Sequence, residues 1–216
     1  MSDFLVHFVT PRQGTAYDVV MSILWDQTLR AINPFGIARR TAPDPTTQRT
    51  ACLSEVPLHH LSRLAQRRSS YGLGFSKQFI LGRGGGPVWY VETGSPSHMA
   101  IQAIITQALA ADDSASQPVW SITPFIDTPG DFPGGNYRFE WERERRHVGD
   151  LHFDTHDVEL LIVPAHLHGA AAGFFYGVWE ESSGPAYFCP IIDPDWSIDQ
   201  VTEVFATHDY SWMRGR

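Results

Sequence analysis

Glutamates and arginines are interleaved within one short segment of the chain, and this pattern is the strongest indication of a chemical site in the sequence. Residues Tyr137–Val148 contain the run Arg-Phe-Glu-Trp-Glu-Arg-Glu-Arg-Arg-His, which is predicted to be a strand. Because successive side chains of a strand point to opposite faces, one face is expected to carry Glu140, Glu142, Glu144 and Arg146. Neighbouring carboxylates repel one another unless a cation or a ligand compensates, and Arg146 can do so through a forked pair of hydrogen bonds. The segment therefore predicts a chemical centre, although a charged edge strand that resists aggregation has the same pattern.

Two earlier predicted strands end in polar residues. His7 and Thr10 belong to the first, Phe4–Thr10, and Ser54 closes the second, Thr50–Glu55. A histidine near a strand end can donate to a ligand hydroxyl or carbonyl, but a hydrogen-bonded core histidine is the alternative. Ser54 precedes a helix and can equally serve as its cap.

Glycines and aromatic residues surround Tyr71 in the stretch Ser69–Ser76, and Gly82–Pro87 follows it. Glycine permits close approach of the backbone to a flat ligand. The spacing matches neither a phosphate-binding P-loop nor a dinucleotide fingerprint. Strand twist and a turn are the structural alternative.

A group of metal-ligating residue types follows the acidic strand: His147, Asp150, His152, Asp154, His156 and Asp157. Their spacing matches no zinc signature. An exposed turn explains the same composition, so no metal ligand is predicted here.

The distribution of charge is uneven. The chain carries 24 acidic and 16 basic residues, a formal net charge of −8, which argues against a general nucleic-acid coat protein. Between Arg39 and Arg83, however, there are eight basic residues and two acidic ones. A basic region on an acidic body could receive a phosphate-bearing ligand or a nucleic acid, but a solvated basic surface explains the same composition, and composition alone does not choose between them.

Irregularly interleaved strand and helix patterns predict an α+β fold, a single mixed domain over residues 1–216 with a split antiparallel or mixed sheet and flanking helices. Helices are predicted at Ala16–Ala31, Leu58–Arg68, Ser76–Leu81, Ser97–Ala111, Ala165–Tyr176 and Ser197–Ala206; further strands are predicted at Tyr71–Phe75, Pro87–Glu92, Asp157–Pro164 and Pro185–Ile192. No secretory signal or membrane-length apolar run is recognised, and Cys52 and Cys189 are expected to be buried free thiols. We therefore expect a soluble cytoplasmic protein that does not associate with membranes.

Several of these segments occur in an order that resembles the AbiGi-type abortive phage-resistance family. The resemblance covers residues 4–164 and rests on His-Phe-Val-Thr, Cys-Leu-Ser-Glu-Val-Pro, Tyr-Gly-Leu-Gly-Phe-Ser-Lys-Gln-Phe, Gly-Gly-Gly-Pro-Val-Trp-Tyr-Val, Phe-Glu-Trp-Glu-Arg-Glu-Arg-Arg and Leu-Leu-Ile-Val-Pro. Relatives usually carry Trp where this chain has Arg145. The resemblance implies a role in defence against phage, with a cognate toxin or antitoxin as a partner.

A looser resemblance, to ADP-ribosyltransferases that include the DarT-like toxins, implies a reaction and a fold of that type. Those enzymes use a His or Arg, then a Ser, Thr or Tyr, then a late Glu-x-Glu, and His7, Ser54 and Glu142-x-Glu144 follow that order. No Ser-Thr-Ser follows the second strand here. The resemblance implies NAD as a substrate and a nucleic-acid or protein acceptor.

The same resemblance assigns roles to individual residues. Glu144 is expected to hold the ribose 2′-hydroxyl and stabilise developing positive charge, and Glu142 to position or deprotonate the acceptor. The remaining NAD-binding residues that it implies are His7, Thr10, Ser54, Tyr71, Arg39, Arg49 and Arg146.

Two other functions are compatible with the sequence. A non-enzymatic antitoxin or partner-binding regulator would expose a large apolar or charged surface. A metal-dependent nuclease or hydrolase would use the cluster at residues 147–157.

Overall fold

The computed structural model describes residues 3–11, 14–132, 135–137 and 140–209. Its strands are β1 Phe4–Phe8, β2 Thr28–Leu29, β3 Thr50–Ser54, β4 Gly72–Ser76, β5 Gly86–Pro87, β6 Trp89–Tyr90, β7 Ile126–Asp127, β8 Gly130–Phe132, β9 Gly135–Tyr137, β10 Glu144–Val148, β11 Leu151–His152, β12 Val158–Ile162 and β13 Ile191–Ile192. Its α-helices are α1 Ala16–Asp26, α2 Leu61–Ala65, α3 Lys77–Gly82, α4 Pro96–Ala110, α5 His168–Glu180 and α6 Ile198–Thr207. Short 3-10 helices lie at Pro45–Gln48, Leu58–His60, Ser114–Ser116, Pro118–Ser121, Thr123–Phe125, Glu140–Glu142, Thr155–Asp157 and Ala165–Leu167.

The chain mixes helices with strands, as the sequence predicts, and divides into two compact units. Unit 1 comprises Met1–Thr28, Glu55–Ile80 and His152–Arg216; unit 2 comprises Leu29–Ser54 and Leu81–Leu151. The prediction of one domain over residues 1–216 stays a prediction, because compact units are not always independent domains.

The sheet of unit 1 contains β1, β4, β12 and β13. Strand β4 is antiparallel to both β1 and β12, and β13 is parallel to β12. Apolar side chains fill these strands, and Leu73, Phe75, Leu160 and Leu161 are buried. Gly74 is required by this packing, since a Cβ there would lie 2.8 Å from Cγ of Leu160.

Capping residues fix the starts of two helices of unit 1. Thr15 forms a reciprocal capping box with Asp18 at the start of α1, and Ser197 forms one at the start of α6. These side chains satisfy backbone N–H groups that have no partner inside a helix. Helix α1 ends at Asp26 rather than continuing to Ala31 as predicted, because Gln27 adopts a left-handed conformation with φ of 49°.

The sheet of unit 2 contains β3, β10 and β5, which pair antiparallel with β10 in the centre. In this register Glu144 lies opposite Ser54, and Arg146 lies opposite Cys52. Elsewhere in unit 2, β6 pairs in parallel with β7. An apolar cluster that includes Ile101 and Ile105 of α4 packs with Trp120.

The predicted strand Tyr137–Val148 is wrong in its extent. Tyr137 ends β9, residues Glu140–Glu142 form a 3-10 helix, and β10 begins only at Glu144. Arg143 lies between them with φ of 46°, a left-handed conformation that ends strand alternation. Glu142 therefore does not share a strand face with Glu144 and Arg146.

Three other predicted elements are shorter than expected. The strand predicted at Pro185–Ile192 is reduced to Ile191–Ile192, since Pro190 has no N–H to donate to a ladder. The helix predicted at Leu58–Arg68 divides into a 3-10 turn and α2. The strand predicted at Pro87–Glu92 contributes only Pro87, at the end of β5, and the two residues of β6.

Candidate carboxylate site

Arg146 is the centre of a buried charge network in unit 2. Its side chain has no exposed surface. Its guanidinium donates to both oxygens of Glu144, from Nε at 2.9 Å and from Nη2 at 3.2 Å. It also donates to Asp127 at 3.0 Å and to the Pro124 carbonyl at 2.7 Å, and it lies 5.0 Å from the ring centroid of Phe35.

Two of these partners carry negative charge, which explains how a guanidinium is tolerated without solvent. Burial on its own lowers the pKa of Arg146, but the charge and hydrogen bonds of Glu144, with smaller contributions that include Asp127, raise it above its usual range. Removing water from a charge is costly unless geometry and charge are both matched. Here the planar guanidinium meets Glu144 in the forked arrangement that suits it best.

A second arginine completes the balance of charge. Arg39 donates from Nη1 to Asp127 Oδ1 at 2.9 Å, so Asp127 lies between Arg39 and Arg146. Asp127 has no exposed side-chain surface, whereas Arg39 keeps 26%. The network thus contains two carboxylates and two guanidiniums, with Arg39 at its solvent-facing edge.

Glu144 uses both of its oxygens within this network. Besides Arg146, its Oε2 accepts a hydrogen bond from the Tyr90 hydroxyl at 2.5 Å. Burial, together with the charge of Glu144, raises the pKa of Tyr90, so the phenol stays protonated and donates. The side chain of Glu144 is 10% exposed. These contacts give Glu144 a structural role whatever else it does.

Glu142 has a different set of neighbours. The Ser54 hydroxyl donates to Glu142 Oε2 at 3.2 Å, across 88 positions of sequence. Glu142 is 6% exposed. Because Ser54 is also opposite Glu144 in the β3–β10 register, the structure brings Ser54 next to both predicted glutamates.

The other predicted NAD-binding residues are divided between the units. His7 lies in β1 and is half-buried, Thr10 is exposed, and the half-buried ring of Tyr71 packs edge-on against Tyr17, with 6.2 Å between centroids. These residues belong to unit 1, whereas Ser54, both glutamates and the three arginines belong to unit 2. Arg49 is exposed at the start of β3.

Asp127 and Tyr90 are the residues that sequence reasoning missed. Asp127 follows buried Ile126 and precedes the segment Thr-Pro-Gly-Asp, which reads as a polar break. The only local sign of a buried carboxylate is that Asp127 directly follows an apolar residue. Its partner Arg146 lies 19 positions away. Nothing local pairs the two.

Residues of the histidine and aspartate cluster contact backbone N–H groups and a neighbouring hydroxyl. His152 Nδ1 lies 2.9 Å from the Thr28 hydroxyl, Asp150 accepts from the Ala31 N–H at 2.7 Å, and Asp157 accepts from the Asp154 N–H at 2.7 Å. Among the described residues, no group of three or more His, Cys, Asp or Glu side chains is arranged to hold a metal ion.

The basic region between Arg39 and Arg83 is also partly neutralised inside each unit. Arg39 pairs with Asp127 in unit 2, and Lys77 donates to buried Glu55 at 2.8 Å in unit 1. Arg39 and Lys77 are therefore both bound to carboxylates.

No family model, no curated protein and no solved structure matches this chain. Within the described part of the chain, none of the helices combines the length and hydropathy needed to cross a membrane.

Proposed function

We propose that the chain is an NAD-dependent ADP-ribosyltransferase-like enzyme of bacterial anti-phage defence, with Glu142 rather than Glu144 as the ribose-contacting carboxylate. The observation that carries the proposal is the hydrogen bond from Ser54 to Glu142 Oε2, 3.2 Å long. The motif order implied that a serine from an early strand and a late glutamate act together, and these two side chains are in contact.

The choice between the two glutamates follows from their partners. Glu144 is bound through both oxygens to Arg146 and Tyr90, so its charge is already compensated. The Ser54 hydroxyl donates to Glu142, and this bond orients the carboxylate. Because Glu144 is already held by Arg146 and Tyr90, we assign the contact with the ribose to Glu142.

The chemistry requires a fixed negative charge. NAD supplies a ribose that becomes positively charged as nicotinamide departs with the bonding electrons. A preorganised carboxylate in a site that excludes water stabilises such charge more strongly than water does. Ser54 positions Glu142 for that task, and the acceptor hydroxyl or amine releases its proton to solvent as its bond to the ribose forms.

The arginines differ in how well they suit the pyrophosphate of NAD. Arg146 has no exposed surface, so it enters the proposal as a residue that positions Glu144 and not as a ligand of NAD. Arg39 keeps 26% exposure and Arg49 is exposed. Of the three arginines that the resemblance implies for NAD binding, Arg39 and Arg49 are therefore the two assigned to contact with a phosphate.

The test is release of nicotinamide from NAD by the purified full chain, with nucleic acid and protein fractions offered as acceptors. Glu142→Gln is expected to lower the rate by about a hundredfold and Ser54→Ala by about tenfold. Glu181→Gln makes the same chemical change at an exposed position and should leave the rate unchanged. Absence of release by the wild-type chain, or full activity in Glu142→Gln, would exclude the proposal.

A second candidate, a non-enzymatic antitoxin or partner-binding regulator, is favoured by exposed aromatic side chains of α5. Tyr176 and Trp179 are each about half exposed, and their ring centroids lie 5.7 Å apart. Exposed apolar groups of this size are typical of contact surfaces. Expression in bacteria separates the candidates, since toxicity relieved by Glu142→Gln supports the enzyme, whereas harmless expression that protects cells from a co-expressed toxin supports the regulator.

A further inference from the structure

A cavity of 530 Å³ lies on unit 2, beside the end of β10. The turn that follows α3 and the 3-10 helices that follow α4 form its other walls. Its volume is within the range of small-ligand sites. Ser54, Glu142 and Glu144 are not among its lining residues, so it is a feature separate from the carboxylate site.

The lining of this cavity contains basic residue types in an acidic chain. Arg83 and His147 contribute to it, and none of the twelve described lining residues is Asp or Glu. The whole chain carries 24 acidic against 16 basic residues. A wall that lacks carboxylates and holds a guanidinium favours an anionic ligand.

The position of one hydrogen on His147 follows from its neighbour. Nδ1 lies 3.1 Å from the Gly149 carbonyl oxygen, which can only accept, so Nδ1 carries the hydrogen. Nε2 then accepts from a ligand hydroxyl when the ring is neutral and donates to an anion when the ring is protonated. Both are contacts that a phosphate monoester offers.

Aromatic side chains supply an apolar wall. Trp120 is 3% exposed, and its indole N–H donates to the Ser114 carbonyl at 2.6 Å, which fixes the ring. Phe125 is half-buried beside it in the lining. A ligand that combines a phosphate with a planar ring matches this pairing of a cationic side and an aromatic side.

One carboxylate close to the cavity is already engaged. Gln117, a lining residue, donates from Nε2 to Asp113 Oδ1 at 2.6 Å. This bond orients the amide of Gln117 and directs its N–H toward Asp113. The Gln117 carbonyl oxygen can still accept from the exocyclic amine of a base.

We propose that this cavity binds a mononucleotide-class ligand, with the phosphate group at Arg83 and His147 and the base against Phe125 and Trp120. The proposal goes beyond ADP-ribosyl transfer and does not require NAD to be cleaved. It gives the chain a second site, at which a nucleotide is bound rather than consumed.

Calorimetric titration of the full chain with AMP, adenosine and inorganic phosphate tests the proposal. AMP is expected to saturate a single site, and adenosine and inorganic phosphate should each bind at least tenfold more weakly, because each lacks one half of the ligand. Arg83→Gln is expected to weaken AMP binding about tenfold. Arg67→Gln, which changes an exposed arginine of unit 1, should leave it unchanged.

Equal affinity for AMP and adenosine would overturn the phosphate contact, and equal affinity for AMP and inorganic phosphate would overturn the aromatic one. Unchanged AMP binding in Arg83→Gln would overturn the location. Ser121→Trp places a large ring in the lining and is expected to abolish binding altogether. Glu142→Gln should retain AMP binding in full, so failure of the transferase proposal and failure of this one are distinguished.

Discussion

Unit 1 and unit 2 bury different kinds of side chain in the middle of their sheets. In unit 1 the central strands β4 and β12 bury Leu73, Phe75, Leu160 and Leu161, each no more than 1% exposed. In unit 2 the central strand β10 buries Arg146 completely, held between Glu144 and Asp127. Apolar burial is non-directional and roughly proportional to area, whereas the ionic network depends on the geometry of each contact.

The two units also differ in the solvent exposure of their ion pairs. Unit 1 contains the pair Lys77–Glu55, in which Lys77 keeps 29% of its side-chain exposure. In unit 2 the pair Arg146–Asp127 has no exposure on either side. When a partly exposed cation is removed by mutation, water can solvate the carboxylate that it leaves. When a fully buried cation is removed, the carboxylate stays buried with an uncompensated charge. The units should therefore respond to mutation in different ways.

Replacing Arg146 is expected to have the largest effect. Arg146→Met keeps much of the volume but leaves Asp127 and Glu144 buried without their shared cation, which should lower the free energy of unfolding by about 3–5 kcal/mol. Urea denaturation followed by circular dichroism measures it. Arg68→Met, at an exposed position of unit 1, is the control and should change stability by less than about 0.5 kcal/mol. A loss below about 1 kcal/mol in Arg146→Met would mean that water enters and solvates the two carboxylates that Arg146 leaves.

Truncating the core of unit 1 is expected to have the next largest effect. Leu161→Ala removes buried methyl groups and leaves a cavity, so we expect a loss of about 2–4 kcal/mol. This loss should not change between low salt and 1 M NaCl, because no charge is involved. Ile198→Ala, at an exposed position, serves as the control. Salt dependence of the Leu161→Ala loss would show that the units are not as different as their cores suggest.

The solvent-facing edge of the network should matter less than its centre. Arg39→Gln removes one of the two cations on Asp127, but Arg146 remains and Arg39 is 26% exposed. Solvent screens such a pair, so the expected loss of stability is about 1 kcal/mol, smaller at high salt. The neighbouring exposed Arg40→Gln is a matched control. A loss as large as that in Arg146→Met would place the centre of the network at Arg39 instead.

The contrast between the units also explains which structural elements could be predicted from the sequence. The strands of unit 1 were located to within a few residues at β1, β4 and β12, because apolar runs report burial directly. Helix α6 was predicted at Ser197–Ala206, within one residue of its bounds, and Ser197 caps it in the structure. Local signals of this kind are visible in any short stretch of sequence.

Unit 2 depends on signals that are not local. The break at Arg143 was missed because no glycine or proline marks it, although its φ of 46° ends the strand. Asp127 lies 19 positions before its partner Arg146, and Tyr90 lies 54 positions before its partner Glu144, so pairing them requires the fold. The forked pair between Arg146 and a carboxylate of this segment was predicted. The contacts of Tyr90 with Glu144 and of Ser54 with Glu142 were not, because they join residues 54 and 88 positions apart.

The reactivity of the two cysteines also allows the units to be compared, since one cysteine lies in each unit. Burial raises the pKa of Cys189 in unit 1 to about 12. Burial and then the charge of Glu144 raise the pKa of Cys52 in unit 2 to about 12, although Cys52 as a residue keeps some exposed surface. Because the thiolate is the nucleophile, both should react with iodoacetamide at pH 8.5 roughly a thousandfold more slowly than in the unfolded chain.

Only Cys52 should depend on the charge network. Glu144→Gln removes the negative charge that disfavours the Cys52 thiolate, so its alkylation rate is expected to rise a few-fold, while the rate at Cys189 stays the same. Peptide mapping by mass spectrometry reads both rates from one sample, and Cys189 is the internal control for local unfolding. Equal acceleration at both cysteines would indicate loss of structure rather than loss of charge. An unchanged rate at Cys52 would show that burial alone suppresses its thiolate, and that the carboxylate of Glu144 is screened from β3 by the guanidinium of Arg146.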